Sequence, residues 1–261
     1  MSVVVFTDLD GTLLDHETYD HGPARPALDR LKRHGIPLVL ASSKTAAEIA
    51  PLHVQLQLGE APAIVENGAG LWRPGDAGAG RDAYDRLRAA LDTLPEALRI
   101  HFRGFGDMGP DQIAQVTGLP TEAAAQAADR AQSEPGLWTG SDQARATFID
   151  ALTEHGITAR QGGRFLTLSF GGTKADRMAE IARAHGATTT IALGDAPNDT
   201  EMLERADHGV IVANPHGAGL PELAGERAGR IRRTALPGPA GWNATMNEIL
   251  DELDYGDDSH G

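Results

Sequence analysis

An alternation of short apolar runs and helical stretches, which starts, breaks off and starts again, constrains this chain more than any other feature. Residues 3–6, Val-Val-Val-Phe, form a β-branched run halted by polar residues and read as a buried strand. A helix is predicted over 23–34, with Pro23 and Pro26 near its start and Gly35 as its stop. A second strand over 36–41, a helix over 45–58 and a third strand over 63–65 complete the run. Strand, helix, strand, helix, strand points to an α/β fold: a doubly wound, mostly parallel sheet of the Rossmann type.

The rhythm is lost in the middle. A glycine- and alanine-rich stretch at 75–80 precedes predicted helices at 82–94, 121–132 and 144–155 and predicted strands at 100–102, 157–159 and 165–170. The first pattern then returns: helix 174–185, strand 188–193, helix 197–206, strand 209–213, a closing helix at 241–253 and an acidic end at 254–261. The expected organisation is a core of residues 1–82 and 171–261, with an inserted α/β cap over 83–170.

Composition narrows the chemistry. A chain of 261 residues is long enough to bury a core without staples. The absence of cysteine excludes disulfides, thiolate nucleophiles and cysteine-ligated metals. With 37 acidic against 23 basic residues the formal charge is −14, a poor match for nucleic acid or an anionic membrane. No apolar run approaches the roughly 20 residues of a membrane helix, and the opening run is too short for a signal peptide. The expectation is a cytoplasmic protein with a small-molecule partner.

In an open α/β sheet, ligands bind beyond the carboxyl ends of the strands. The first strand runs into Asp8-Leu9-Asp10-Gly11-Thr12. Two carboxylates at such a place suit metal-assisted acid/base or nucleophilic chemistry; a simple turn is the plainer alternative. The second strand ends in Ser42-Ser43-Lys44-Thr45 directly before a helix, which makes either an anion site or an ordinary N-cap. The strand over 188–193 delivers Gly194-Asp195-Ala196-Pro197-Asn198-Asp199, a hard-cation ligand with supporting oxygens. Lys174 opens a helix after Gly171-Gly172-Thr173. Of only three lysines, Lys44 and Lys174 fall in these candidate anion sites.

Asp8-Leu9-Asp10-Gly11-Thr12, Ser42, Lys174 and the Gly194–Asp199 string resemble, in order, the four motifs of the haloacid dehalogenase-like phosphatases. Shorter strings resemble the mannosyl-3-phosphoglycerate phosphatase family: Ser42-Ser43-Lys44-Thr45, Glu66-Asn67-Gly68, Arg130 with Ser133-Glu134-Pro135, and Gly162-Gly163-Arg164-Phe165. The resemblance implies Mg²⁺-dependent hydrolysis of mannosyl-3-phosphoglycerate to mannosylglycerate, a compatible solute. Asp8 would attack phosphorus and form an aspartyl-phosphate, and Asp10 would serve as acid and then base. Asp8, Asp195 and the Asp10 carbonyl would hold Mg²⁺, with Asp199 and Asn198 orienting its waters and Lys174. Ser42 and Lys174 would neutralise the phosphoryl oxygens. Ser43, Lys44, Arg130, Ser133, Glu134 and Arg164 would contact the substrate.

An acid at Asp10 requires a carboxyl whose side chain stays off the metal, since direct ligation would lower its pKa. Glucosyl-3-phosphoglycerate or another small sugar phosphate is the alternative substrate. A phosphomutase and a non-catalytic sugar-phosphate sensor are the competing classes. His16 could reach the cleft or be a surface loop residue, and Trp72 and Trp138 read as packing before they read as sugar platforms.

Overall fold

The computed structural model describes residues 2–76, 80–217 and 219–255; the glycine-rich stretch is therefore described only in part, and the end from 256 lies outside it. The strands are β1 (Val3–Thr7), β2 (Leu38–Leu40), β3 (Ala63–Val65), β4 (Gly70–Trp72), β5 (Phe102–Gly104), β6 (Ser133–Trp138), β7 (Thr158–Gly162), β8 (Phe165–Ser169), β9 (Thr189–Gly194), β10 (His208–Ala213) and β11 (Ile231–Pro237). The helices are α1 (Arg25–Arg33), α2 (Ala46–Gln55), α3 (Asp82–Thr93), α4 (Glu96–Arg99), α5 (Pro110–Thr117), α6 (Thr121–Ala128), α7 (Asp142–Glu154), α8 (Lys174–Ala184), α9 (Thr200–Arg205), α10 (Ala224–Arg227) and α11 (Gly238–Glu252). No described helix is long and apolar enough to cross a membrane.

The chain divides into two units: Met1–Ser42, Glu60–Ile64 and Lys174–Gly261 form the first, and Ser43–Gly59 and Val65–Thr173 the second. Residues 43–59 and 65–82 thus group with the second unit.

The first unit is built on a five-stranded sheet in the order β11-β10-β9-β1-β2, every neighbouring pair parallel. An isolated parallel bridge between Ala41 and Ile64 continues it past β2. All five residues of β1 are buried. A central parallel strand is covered on both faces, so an unbroken apolar run is what it requires. Trp242 of α11 is fully buried, and its indole N–H donates to Thr7 Oγ1 at 3.0 Å. Thr7 Oγ1 in turn donates to the Asp8 carbonyl at 2.8 Å, so the core ties down the last turn of chain before the acidic motif.

The second unit carries an antiparallel sheet in the order β5-β6-β8-β7. Side chains alternate between its faces. Phe102, Leu166 and Leu168 join Leu87 and Leu91 of α3 and Phe148 and Leu152 of α7 in one apolar cluster. Leu137 and Phe165 pack against a second cluster of Phe105, Met108, Ile113, Ala124 and Ala127, which includes α5 and α6. Helix α2 starts at a capping box: Thr45 Oγ1 accepts the Glu48 N–H at 3.2 Å, and Glu48 Oε2 accepts the Thr45 N–H at 2.9 Å.

Helices α1, α8 and α11 of the first unit fall within a few residues of their expected spans. The expected strand at 100–102 begins only at Phe102, and the expected helix at 197–206 opens as a 3₁₀ turn over Pro197–Asp199 before α9. Strands β4, β6 and β11 and helices α4, α5 and α10 were not expected.

Candidate active site

Two neighbouring parallel strands aim their carboxyl ends at one spot. β1 delivers Asp8, whose N–H donates to the Leu193 carbonyl of β9 at 2.9 Å. β9 delivers Asp195 directly after Gly194. Lys174, the first residue of α8, is buried and bridges two carboxylates: Nζ donates to Asp8 Oδ1 at 2.6 Å and to Asp199 Oδ1 at 2.7 Å. A buried ammonium costs several kcal/mol of lost hydration unless it is paired this closely.

Asp199 is itself fixed. Its Oδ2 accepts the N–H groups of Asp195 at 3.2 Å and Ala196 at 3.1 Å. That arrangement needs a glycine at 194, where a Cβ would stand 2.5 Å from Asp199 Cβ. Asp195 is gripped by Thr12 Oγ1, which donates to Oδ1 at 2.7 Å, and by Asn214 Nδ2, which donates to Oδ2 at 2.8 Å.

Burial raises the Asp8 carboxyl well above its ordinary pKa, against the pull of Lys174. Burial also raises Asp195, opposed by the hydrogen bonds from Asn214 and Thr12. For Lys174, burial works against the ammonium, but Asp199 and Asp8 outweigh it and hold the side chain charged. Asp8, Asp195 and Asp199 each offer a ligand atom, all within 4.8 Å of one another. Three carboxylates against one ammonium leave a buried excess of negative charge, made only of hard oxygen donors. That donor set fits Mg²⁺.

Asp10 lies two residues beyond Asp8, in a bridge with Leu14, and its carboxylate is not in the three-carboxylate group. Ser42, nearly fully buried, follows β2 and donates its N–H to the Ile64 carbonyl at 2.9 Å. Asn198 sits exposed in the 3₁₀ turn between Asp195 and α9.

The residues expected to contact the leaving group belong to the second unit, in distinct networks. Arg130 Nη1 donates to the Ser43 carbonyl at 2.9 Å and its Nε to the Ala127 carbonyl at 2.8 Å. Lys44 lies 4.0 Å from Glu48. Ser133 donates through both N–H and Oγ to Glu66 Oε2, each at 2.7 Å, beside the N–H groups of Ala131 and Gln132. Glu134, completely buried, accepts from Tyr84 Oη at 2.8 Å, Arg88 Nη1 at 2.7 Å and the Gly106 N–H at 2.8 Å. Arg164, at the exposed turn between β7 and β8, donates to the Val116 carbonyl at 2.6 Å. Trp72 is buried against His53, and Trp138 packs on Phe148. His16 stacks on His216, with ring centroids 4.7 Å apart.

Thr12 and Asn214 were given no role on sequence. Thr12 lies inside the acidic motif, and Asn214 is the first residue past a predicted strand, so the strand-end rule covers both.

A family model described as haloacid dehalogenase-like hydrolase matches residues 5–76 and 140–218, more than half of the chain. The chain belongs to the haloacid dehalogenase-like hydrolases. The intervening 77–139 lies within the second unit.

Solved structures share the fold across nearly the whole chain. The sucrose-phosphatase of Synechocystis sp. PCC6803, determined with sucrose and phosphate, matches with a TM-score of 0.63 at 16% identity, over 97% of this chain and 99% of that one. TM0651 of Thermotoga maritima matches with a TM-score of 0.68 at 17% identity, over 95% and 98%. The subclass IIB sugar phosphatase BT4131 matches with a TM-score of 0.62 at 16% identity, over 98% and 100%.

Proposed function

We propose that this protein is a Mg²⁺-dependent, cytoplasmic sugar-phosphate phosphatase whose substrate is mannosyl-3-phosphoglycerate. The observation that carries the chemistry is the buried set of Asp8, Lys174, Asp195 and Asp199. A carboxylate with an ammonium 2.6 Å away is arranged to approach a phosphoryl group, because the ammonium offsets the repulsion between nucleophile and substrate. Asp8 attacks phosphorus, the ester oxygen leaves with a proton from Asp10, and water then hydrolyses the aspartyl-phosphate with Asp10 as base. Ser42 and Lys174 offset the phosphoryl charge. Asp8, Asp195 and the Asp10 carbonyl would hold the cation, which supplies charge stabilisation to the transferring group. Both Asp199 oxygens already accept hydrogen bonds, from Lys174 and from two backbone N–H groups, which favours an orienting role for it.

A sugar phosphate as substrate is supported by the fold shared with a sucrose-phosphatase and a subclass IIB sugar phosphatase. The glycosyl phosphoglycerate is supported by the short strings around Ser43, Lys44, Glu66, Arg130, Ser133, Glu134 and Arg164. Among these, Arg164 combines an exposed position with a guanidinium suited to a glycerate carboxylate.

The test is phosphate release, with Mg²⁺ and with EDTA, from mannosyl-3-phosphoglycerate, glucosyl-3-phosphoglycerate, mannose 6-phosphate and 3-phosphoglycerate. Mg²⁺-dependent preference for the mannosyl compound is expected, with a fall in kcat/KM for Arg164→Ala. Preference for mannose 6-phosphate would discard the substrate. No release from any of them would discard the activity.

A further inference from the structure

The carboxylate of Asp195 is held from two sides by residues that follow the strands flanking its own. Thr12 follows β1 and donates to Oδ1; Asn214 follows β10 and donates to Oδ2. The sheet order β10-β9-β1 makes these the two neighbours of β9. A carboxylate has about four lone-pair sites, so one donor on each oxygen fixes the group's plane and leaves a lone pair on each.

Asn214 is itself immobilised. Its Oδ1 accepts the His216 N–H at 3.0 Å, which directs Nδ2 towards Asp195. Nδ2 stands 2.4 Å from where a Cβ on Gly11 would be, and Gly11 has a φ of +83°. Only glycine lets the nucleophile loop approach this closely in that conformation. The His216 ring lies nearly parallel to that of His16, at 5°, so the segment after β10 is clasped to the one after the acidic motif.

We propose that Asn214 is a positioning residue for the divalent cation: it acts through Asp195, turning that carboxylate so that its free lone pairs face the ion. This rests on the reading of Asp8 and Asp195 as cation ligands. The ordinary alternative is that Asn214 only closes a loop. The two differ in what its loss does to cation affinity. Groups that orient a metal ligand typically change affinity by about 10–100-fold when removed.

Wild type, Asn214→Ala and Asn214→Leu would be titrated with Mn²⁺ and free ion followed by electron paramagnetic resonance, alongside thermal unfolding in EDTA. Asn214→Leu keeps the volume and removes the donor, so it stands if the alanine variant does not fold. The expected result is Mn²⁺ affinity weakened by about 10-fold or more in each folded variant. Variants that bind Mn²⁺ as wild type does, even if less stable, would overturn the positioning role alone. A wild type that binds no Mn²⁺ would overturn the cation reading with it.

Discussion

At the scale of single residues, the site is a problem of buried charge. Lys174 is nearly inaccessible and survives there only through Asp8 and Asp199. Removing one partner from such a set leaves the others uncompensated, at a cost of about 3–5 kcal/mol. Lys174→Ala is therefore expected to lower unfolding stability by that order and to abolish phosphate release. Chemical denaturation and a phosphatase assay check the two halves separately. An active variant would remove Lys174 from the chemistry, and an undiminished stability would show that Asp8 and Asp199 take up protons in its place.

At the scale of elements, what the sequence revealed depended on how each strand is buried. β1 and β9 are central, parallel and apolar on both faces, so their runs stood out, and the acidic strings at their tips with them. β6 hid because Pro135 and Gly136 interrupt it, although it pairs on both sides. Gly136 is needed there: a Cβ would lie 2.5 Å from the Phe102 ring. β11 hid because Arg232 and Arg233 break any apolar run. Helix α5 carried legible signals, Pro110 at its start and Gly118 with φ +84° at its end, which a short polar sequence obscured. The core site was readable because it sits on strand ends. Partners such as Tyr84 and Arg88 for Glu134 were not, since they depend on packing between distant segments.

The polar network of the second unit also sets a pH response. Asp107 accepts from Arg88 at 2.6 Å, Arg99 at 2.8 Å and the Gly104 N–H at 2.9 Å. Burial pushes its carboxyl up, but these bonds outweigh burial and hold it below the ordinary range. A depressed carboxyl binds protons less readily in the folded state than in the unfolded one. Its contribution is present above about pH 3.9 and is lost as pH falls through the folded value. Asp107→Asn is expected to lower stability at neutral pH and to flatten the acid limb of stability against pH. An acid limb as steep as wild type's would show that Asp107 is not its source.

At the scale of the whole molecule, an ion that binds the folded carboxylate cluster must stabilise the fold. At about 100 times its dissociation constant the gain is roughly 2.7 kcal/mol. Adding Mg²⁺ to protein stripped with EDTA is expected to raise Tm by several degrees, and Asp195→Asn to reduce the rise. Calorimetry without substrate measures this independently of turnover, and a Tm indifferent to Mg²⁺ would count against the site.

The placement of β9 beside β1 has a consequence for synthesis. The two meet across 186 residues of chain, where Ser2 and Thr188 already bond to one another. β1 leaves the ribosome before β9, finds β2 nearby, and keeps its other edge open while the intervening chain is made. At about 5–20 residues per second that wait lasts on the order of 10–40 seconds. During it, Asp8 has neither the Lys174 ammonium nor Asp195 beside it, so the buried carboxylate cluster does not yet exist. An open apolar edge is a template for wrong pairing, which makes those seconds the interval in which a chaperone would matter most to this protein.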